Sequence, residues 1–213
     1  MVKTVSQIVE DVRLAIDEIG LNDGEFLSDS EDAQLDDLIK GRLCEAVDWV
    51  HSSAALELMS GDIFTHATVS SGAPVTATDM IRFVQGKGYG WKNAVRELTE
   101  EGTAEYDIAV DKYVGASVDR PAVVLEYVSG GKQLSLLPVD ATHDGSVVYV
   151  KRAATESQQT GQDTVEVIKV DANMYAAIVN YLGGLVLMEL NDNRGENMVQ
   201  LAKGMVGLET NKG

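Results

Sequence analysis

The sequence predicts an α+β fold: a helical bundle built from the N- and C-terminal helices, with a β-rich insertion between them. Apolar residues recur at helical spacing near both ends of the chain. The middle instead carries short β-branched runs, and turn residues separate most of them.

The first helix is read from Val5, Ile8, Val9, Val12, Ala15, Ile16 and Ile19, with Gly20 as its stop. The linker GLNDGEFLSDSED follows, in which Ser28 and Glu31 have capping-box spacing. A second helix carries a stripe of Leu35, Leu38, Ile39, Leu43, Ala46, Val47, Val50, Ala54 and Leu58, and MSGD ends it at Gly61. The strands are IFTHATVSS, DMIRFVQ, AVVLEYV, QLSLLPV, SVVYVKR and TVEVIKV, with a hairpin turn at Gly130-Gly131. GTAEYDIAVDKYVG is expected to add a short helix or turn. Helix resumes near Asp171, a favourable N-cap, with Met174, Ala177, Ile178, Tyr181, Leu182, Leu185 and Val186 on its apolar stripe. Gly183-Gly184 costs helix propensity and is expected to allow close approach of a neighbouring helix. NDNRGEN turns the chain into a last helix marked by Met198, Leu201, Ala202 and Met205, and GLETNKG is expected to be loose in the free protein. The expected boundaries are 1–61 and 170–213 for the helices and 62–169 for the insertion.

Charge limits the partners. With 34 acidic and 17 basic residues in 213, the net charge of −17 argues against tight binding to DNA, RNA or an anionic membrane. The apolar stretch AAIVNYLGGLVLMEL is too short and broken to span a bilayer, and MVKTVSQIVEDV lacks a signal-peptide core. Cys44 is the sole cysteine, so no intrachain disulfide forms and a reducing compartment is the natural setting.

No catalytic, cofactor or metal site emerges. GKGYGW lacks the Ser or Thr that follows the lysine of a phosphate-binding loop, and Trp91 occupies the sixth position of a dinucleotide fingerprint; it reads as a turn. His51, His66 and His143 have no metal-binding spacing, and NDNRGEN does not match a calcium loop. Cys44 and His51 share a helix face two turns apart, ~10 Å by helical rise, too far for a nucleophile–base pair. An acidic enzyme of hydrolase type and a monomeric protein-binding module remain the alternatives, though no convergent His/Ser/Cys/Asp set favours an enzyme.

The order of motifs carries more. An opening amphipathic helix precedes LDDLIKGRLCEAVDWVHSSA, DMIRFVQGKGYGWKNAVRELTEEGTAEYDIAVDKYVG, PAVVLEYVSGGKQLSLLPV and YAAIVNYLGGLVLMELNDNRGENMVQLAKGMV. Over nearly the whole chain this order resembles the ring, or head–tail adaptor, proteins of tailed bacteriophages, especially those of crAss-like phages. The resemblance implies a non-enzymatic virion protein at the head–tail junction, present in host cytoplasm during assembly. It implies a homo-oligomeric ring, usually of twelve subunits, beneath the portal protein and joined to other tail or ring proteins. DNA would pass through that ring without specific binding, and no cofactor or membrane is implied. Helix 2 (Leu35 to Leu58) and the last helices (Met174 to Met205) are the expected wall, and Leu201 to Gly213 the docking arm. Trp49, Met198, Leu201, Met205, Val206 and Leu208 are the candidate portal or subunit-interface residues. An acidic wall suits this role, because a basic lumen would trap the genome.

Overall fold

The computed structural model describes residues 1–20, 29–161 and 163–208. Among them the elements run β1 (Val2–Thr4), α1 (Val5–Gly20), α2 (Asp29–Ser53), β2 (Phe64–Val69), β3 (Val75–Thr76), β4 (Met80–Lys87), β5 (Leu98–Glu100) and α3 (Ala104–Val110). They continue as β6 (Ala122–Val128), β7 (Gly131–Leu137), β8 (Gly145–Lys151), β9 (Thr155–Thr160), β10 (Asp163–Lys169), α4 (Tyr175–Glu189) and α5 (Arg194–Met205). The fold is α+β. Chain contacts divide it into two units, Met1–Ile63 with Ala153–Gly213, and Phe64–Arg152.

In the first unit α4 is the common partner, packing against α1, α2 and α5. The reason lies in its composition: Ala177, Ile178, Leu182, Val186 and Leu187 are buried together with both glycines of the Gly183-Gly184 pair. Those glycines let α5 come close. A Cβ on Gly184 would lie 2.8 Å from the Gly195 carbonyl oxygen, and one on Gly183 would lie 2.8 Å from Met198 Cε. Gly195 is tighter still, its added Cβ falling 2.6 Å from the Gly184 carbonyl oxygen and 2.8 Å from the Met188 nitrogen. Backbone cannot yield as a side chain can, so Gly195→Ala should destabilise the protein by about 1–3 kcal/mol. Thermal melting of that variant checks this; an unchanged midpoint would show that α5 slides without cost.

α1 buries Val5, Ile8, Val9, Val12 and Ile16 of the stripe expected of it, with Ala15 half-buried and the Ile19 side chain outside the described residues. α2 buries Leu35, Ile39, Leu43, Ala46, Val47 and Val50. The Arg13–Asp36 ion pair, 2.7 Å, joins the two helices. α2 is shorter than its apolar pattern suggested. It ends at Ser53, Leu58 is exposed, and a separate 3-10 turn covers Leu56–Leu58. Ser52 turns its hydroxyl back onto the Trp49 carbonyl, and the Ala55 N–H bonds the Val206 carbonyl instead of continuing the helix. The Ser28–Glu31 box and the tail beyond Leu208 lie outside the described residues.

The boundary also differs from expectation. β9 and β10 form an antiparallel hairpin, and β10 pairs on its other side with β1. Val167 and Ile168 are buried, so this hairpin belongs with the helices rather than with the insertion. β1 and β9 escaped the sequence pattern. The first is three residues long, and the second, TESQQT, is polar and exposed throughout.

The second unit holds two sheets, ordered β2-β8-β4 and β3-β7-β6-β5. One core cluster draws on both, with Val69, Met80, Val147 and Tyr149 from the first and Val123, Leu125, Leu134 and Leu136 from the second. All pairings are antiparallel except β5 with β6. The segment GKGYGW is a turn: Gly86 and Val95 exchange two backbone hydrogen bonds of 2.8 Å each, and buried Trp91 fills the space over Gly88. A Cβ on Gly86 would fall 2.5 Å from Val123 Cγ2. The first glycine of that stretch therefore serves sheet packing, not phosphate.

Candidate functional site

Formal charge is distributed unevenly. The helix-bearing unit carries 23 acidic and 8 basic residues, net −15, whereas the β unit carries 11 and 9, net −2. Nearly all of the negative field therefore originates in the helices, their connections and the β9–β10 hairpin.

The six interface candidates fall into two groups. Met198 and Val206 are each only 1% exposed and serve packing within the unit, Met198 against Gly183. Leu201, Met205 and Leu208 are exposed. Leu201 and Met205, four residues apart, share the outer face of α5, while Met198 and Ala202 share its buried face. Trp49 is half-buried and stacks on Tyr181 of α4, with ring centroids 3.9 Å apart and planes within 5°. Arg42 bonds both Glu45 and Glu189, both at about 3 Å, tying α2 to α4. An exposed apolar strip on α5 and a half-exposed aromatic stack thus lie on the most acidic unit.

A buried polar node underlies these helices. Asp171 has no exposed surface. One carboxylate oxygen accepts the Asn173 and Met174 N–H groups (2.8 and 3.0 Å), closing a turn ahead of α4. Asp171 is therefore not the helix N-cap expected of it, because α4 starts at Tyr175 with Met174 in the cap position and no side-chain cap bond. The other carboxylate oxygen of Asp171 accepts the Ser60 N–H and hydroxyl at 2.6 and 3.0 Å. Its own N–H donates to His51 Nε2 at 3.2 Å, so that imidazole must be neutral with its proton on Nδ1. Burial pushes His51 from 6.5 down to about 4, against the opposing pull of Asp171. In the sequence His51 stood out only for sharing a helix face with Cys44 and as one of three histidines without metal-binding spacing; nothing local announced its pairing with a residue 120 positions away. The Cys44 thiol is pushed up, first by burial and then by Asp48, which leaves it a poor nucleophile.

On α4, the Tyr175 hydroxyl bonds Asp11, and Lys3 lies 4.6 Å from the centre of its ring. Burial, then the Asp11 bond, pushes that phenol well above its ordinary value. This is a packed anchor for α1.

The β unit has its own cluster. Thr142 Oγ1 donates to Asp140 (2.6 Å), His143 Nδ1 sits 2.9 Å from the second Asp140 oxygen, and the imidazole stacks flat on Tyr89 at 3.6 Å. The Thr142 hydroxyl, then its N–H, and His143 hold Asp140 well below the usual carboxylate range. Gly72, Gly88, Pro138 and Gly145 line a shallow depression beside it. An oriented imidazole is present, but both of its side-chain hydrogen-bonding contacts are made by Nδ1. No nucleophile is bonded to its outer nitrogen among the described residues. Nor do three or more His, Cys, Asp or Glu side chains gather to hold a metal among the described residues, and none of the described helices is long and apolar enough to cross a membrane.

The chain matches no protein-family model, and no curated protein matches it in sequence.

Proposed function

We propose that this protein is a structural adaptor of a tailed-phage virion. Copies form a ring beneath the portal, connect it to the next tail component, and surround the path of the DNA. In this reading the helices from both ends of the chain form a bundle that serves as the ring wall, and the β unit is an insertion between them in the chain. The observation that carries the reading is the segregation of charge: net −15 in the helix-bearing unit against −2 in the β unit. A wall bearing that field repels the phosphate backbone and leaves DNA free to slide. The order of sequence motifs supports the same assignment. So does the exposed Leu201–Met205 strip next to the C-terminal segment, a surface suited to docking on another virion protein.

The test is portal binding. Leu201→Asp with Met205→Asp should abolish co-sedimentation with portal from the same source and leave the melting temperature within a few degrees, because both side chains are exposed. Undiminished portal binding by the double variant would remove α5 from the interface. A wild-type chain that never sediments with portal would contradict the adaptor role itself.

A further inference from the structure

β5 and β6 are parallel neighbours, so the chain must cross over between them, and α3 lies in that crossover. Crossover helices ordinarily bury an apolar face against their sheet. α3 buries no residue at all. It and the loop after it instead expose Ile108, Val110, Tyr113, Val114 and Val118, with Tyr113 88% exposed. Five large apolar side chains in so short a stretch present on the order of 500 Å², near the upper end for the largest apolar patch on a monomer.

The segment is held in shape. Thr103 caps α3 through the Tyr106 N–H at 3.2 Å, and the Tyr106 hydroxyl bonds Glu126 on β6 at 2.8 Å. Asp111 accepts the N–H groups of Tyr113 and Val114 at 2.7 and 2.9 Å, and the Ala116 N–H folds back to the Ala109 carbonyl. Gly115 is required there, since an added Cβ would fall 2.1 Å from the Asp111 carbonyl oxygen. A rigid apolar surface loses little entropy on binding.

We propose that this segment is the contact between copies of the protein, the β unit of one copy docking on the β unit of the next. The proposal rests on the ring reading and names its lateral contact. Charge selects the occupant. Two helix-bearing units, each net −15, repel one another, whereas two β units of net −2 can approach, and they do so through an apolar patch. The patch is of a size to form the core of a standard interface of roughly 800 Å² per partner. Because the attraction is apolar and the opposing force is the like charge of whole chains, added salt strengthens the contact.

The experiment measures self-association of the full chain by sedimentation velocity at low and high sodium chloride, with a photo-crosslinking residue placed at position 113 in a parallel sample. That sample mixes isotopically light and heavy copies, free and bound to portal. The expected results are tighter association at high salt and crosslinks from position 113 into Phe64–Arg152 of another copy. Tyr113→Asp with Val114→Asp should weaken association ~30-fold or more. Leu14→Asp, at an exposed apolar site on the other unit, should leave it unchanged. Association that weakens with salt, a double variant that associates as tightly as wild type, or crosslinks to portal, to the helices or to nothing would each overturn the inference. Portal decoration separates the two ideas. Decoration that survives the double variant leaves the adaptor reading standing without this contact; Tyr113-dependent association without decoration does the reverse.

Discussion

Asp171→Ala should be among the most damaging single substitutions in the chain, costing about 3–5 kcal/mol in denaturant unfolding. The carboxylate is fully buried and accepts four hydrogen bonds: two from the Asn173 and Met174 N–H groups just before α4 and two from Ser60. Truncation leaves three backbone N–H groups and a hydroxyl without that acceptor, in a place where each unmet donor costs on the order of 1 kcal/mol or more. It also removes the turn that leads into the helix on which α1, α2 and α5 pack. Asp171→Asn keeps one carbonyl oxygen and should lose about half as much. A loss below about 1 kcal/mol for the alanine variant would show that Ser60 and the α4 terminus find other partners.

Acidification should destabilise the protein through His51. Its folded value of about 4 lies below its ordinary 6.5, so between these pH values the unfolded chain binds the proton and the folded chain does not. The neutral imidazole therefore contributes its full stability above about pH 6.5. That contribution is lost as pH falls toward 4, with a total of about 3 kcal/mol. The structural cause is direct: protonating Nε2 removes the acceptor for the Asp171 N–H. The signal is the difference between wild type and His51→Gln, whose amide oxygen accepts the same bond without titrating. Parallel stability–pH curves for the two would contradict the assignment. His51 accepts from the Asp171 backbone N–H, which Asp171→Ala retains, so the two substitutions break different bonds; because the residues touch, their effects should still not add.

Both residues illustrate what a single sequence can and cannot show. The stripe Ile8, Val12, Ile16 and the α4 pattern were legible because burial of one helix face imposes a 3.6-residue period on the chain itself. Gly183-Gly184 was legible for the same reason: two glycines inside an apolar helix cost stability, and α5 against their backbone accounts for it. Asp favours helix starts, which suggests Asp171 as a cap, but its carboxylate closes the turn before α4 while Met174 holds the cap position. Its bond to His51 was not legible either, because no local pattern encodes a partner that tertiary packing supplies. β9 was invisible, since an exposed strand has no apolar alternation to display. The 62–169 boundary misplaced the β9–β10 hairpin because β propensity reports strand character, not which unit the strand joins. Of the surface at Ile108 to Val118, the sequence pattern reaches only the part within Gly102 to Gly115, and only as helix or turn; its exposure emerges once α3 is seen to have no fully buried residue. On α5 the heptad-like marks Met198, Leu201 and Met205 looked alike in sequence, and only packing sorted Met198 inward and Leu201 outward.

The proposed adaptor role is tested most directly by electron microscopy of the purified protein mixed with portal from the same source. The account predicts portal particles carrying an added ring of density on their tail-side face, with the helix-bearing units around the channel. Portal particles that remain bare beside monodisperse free protein would contradict it.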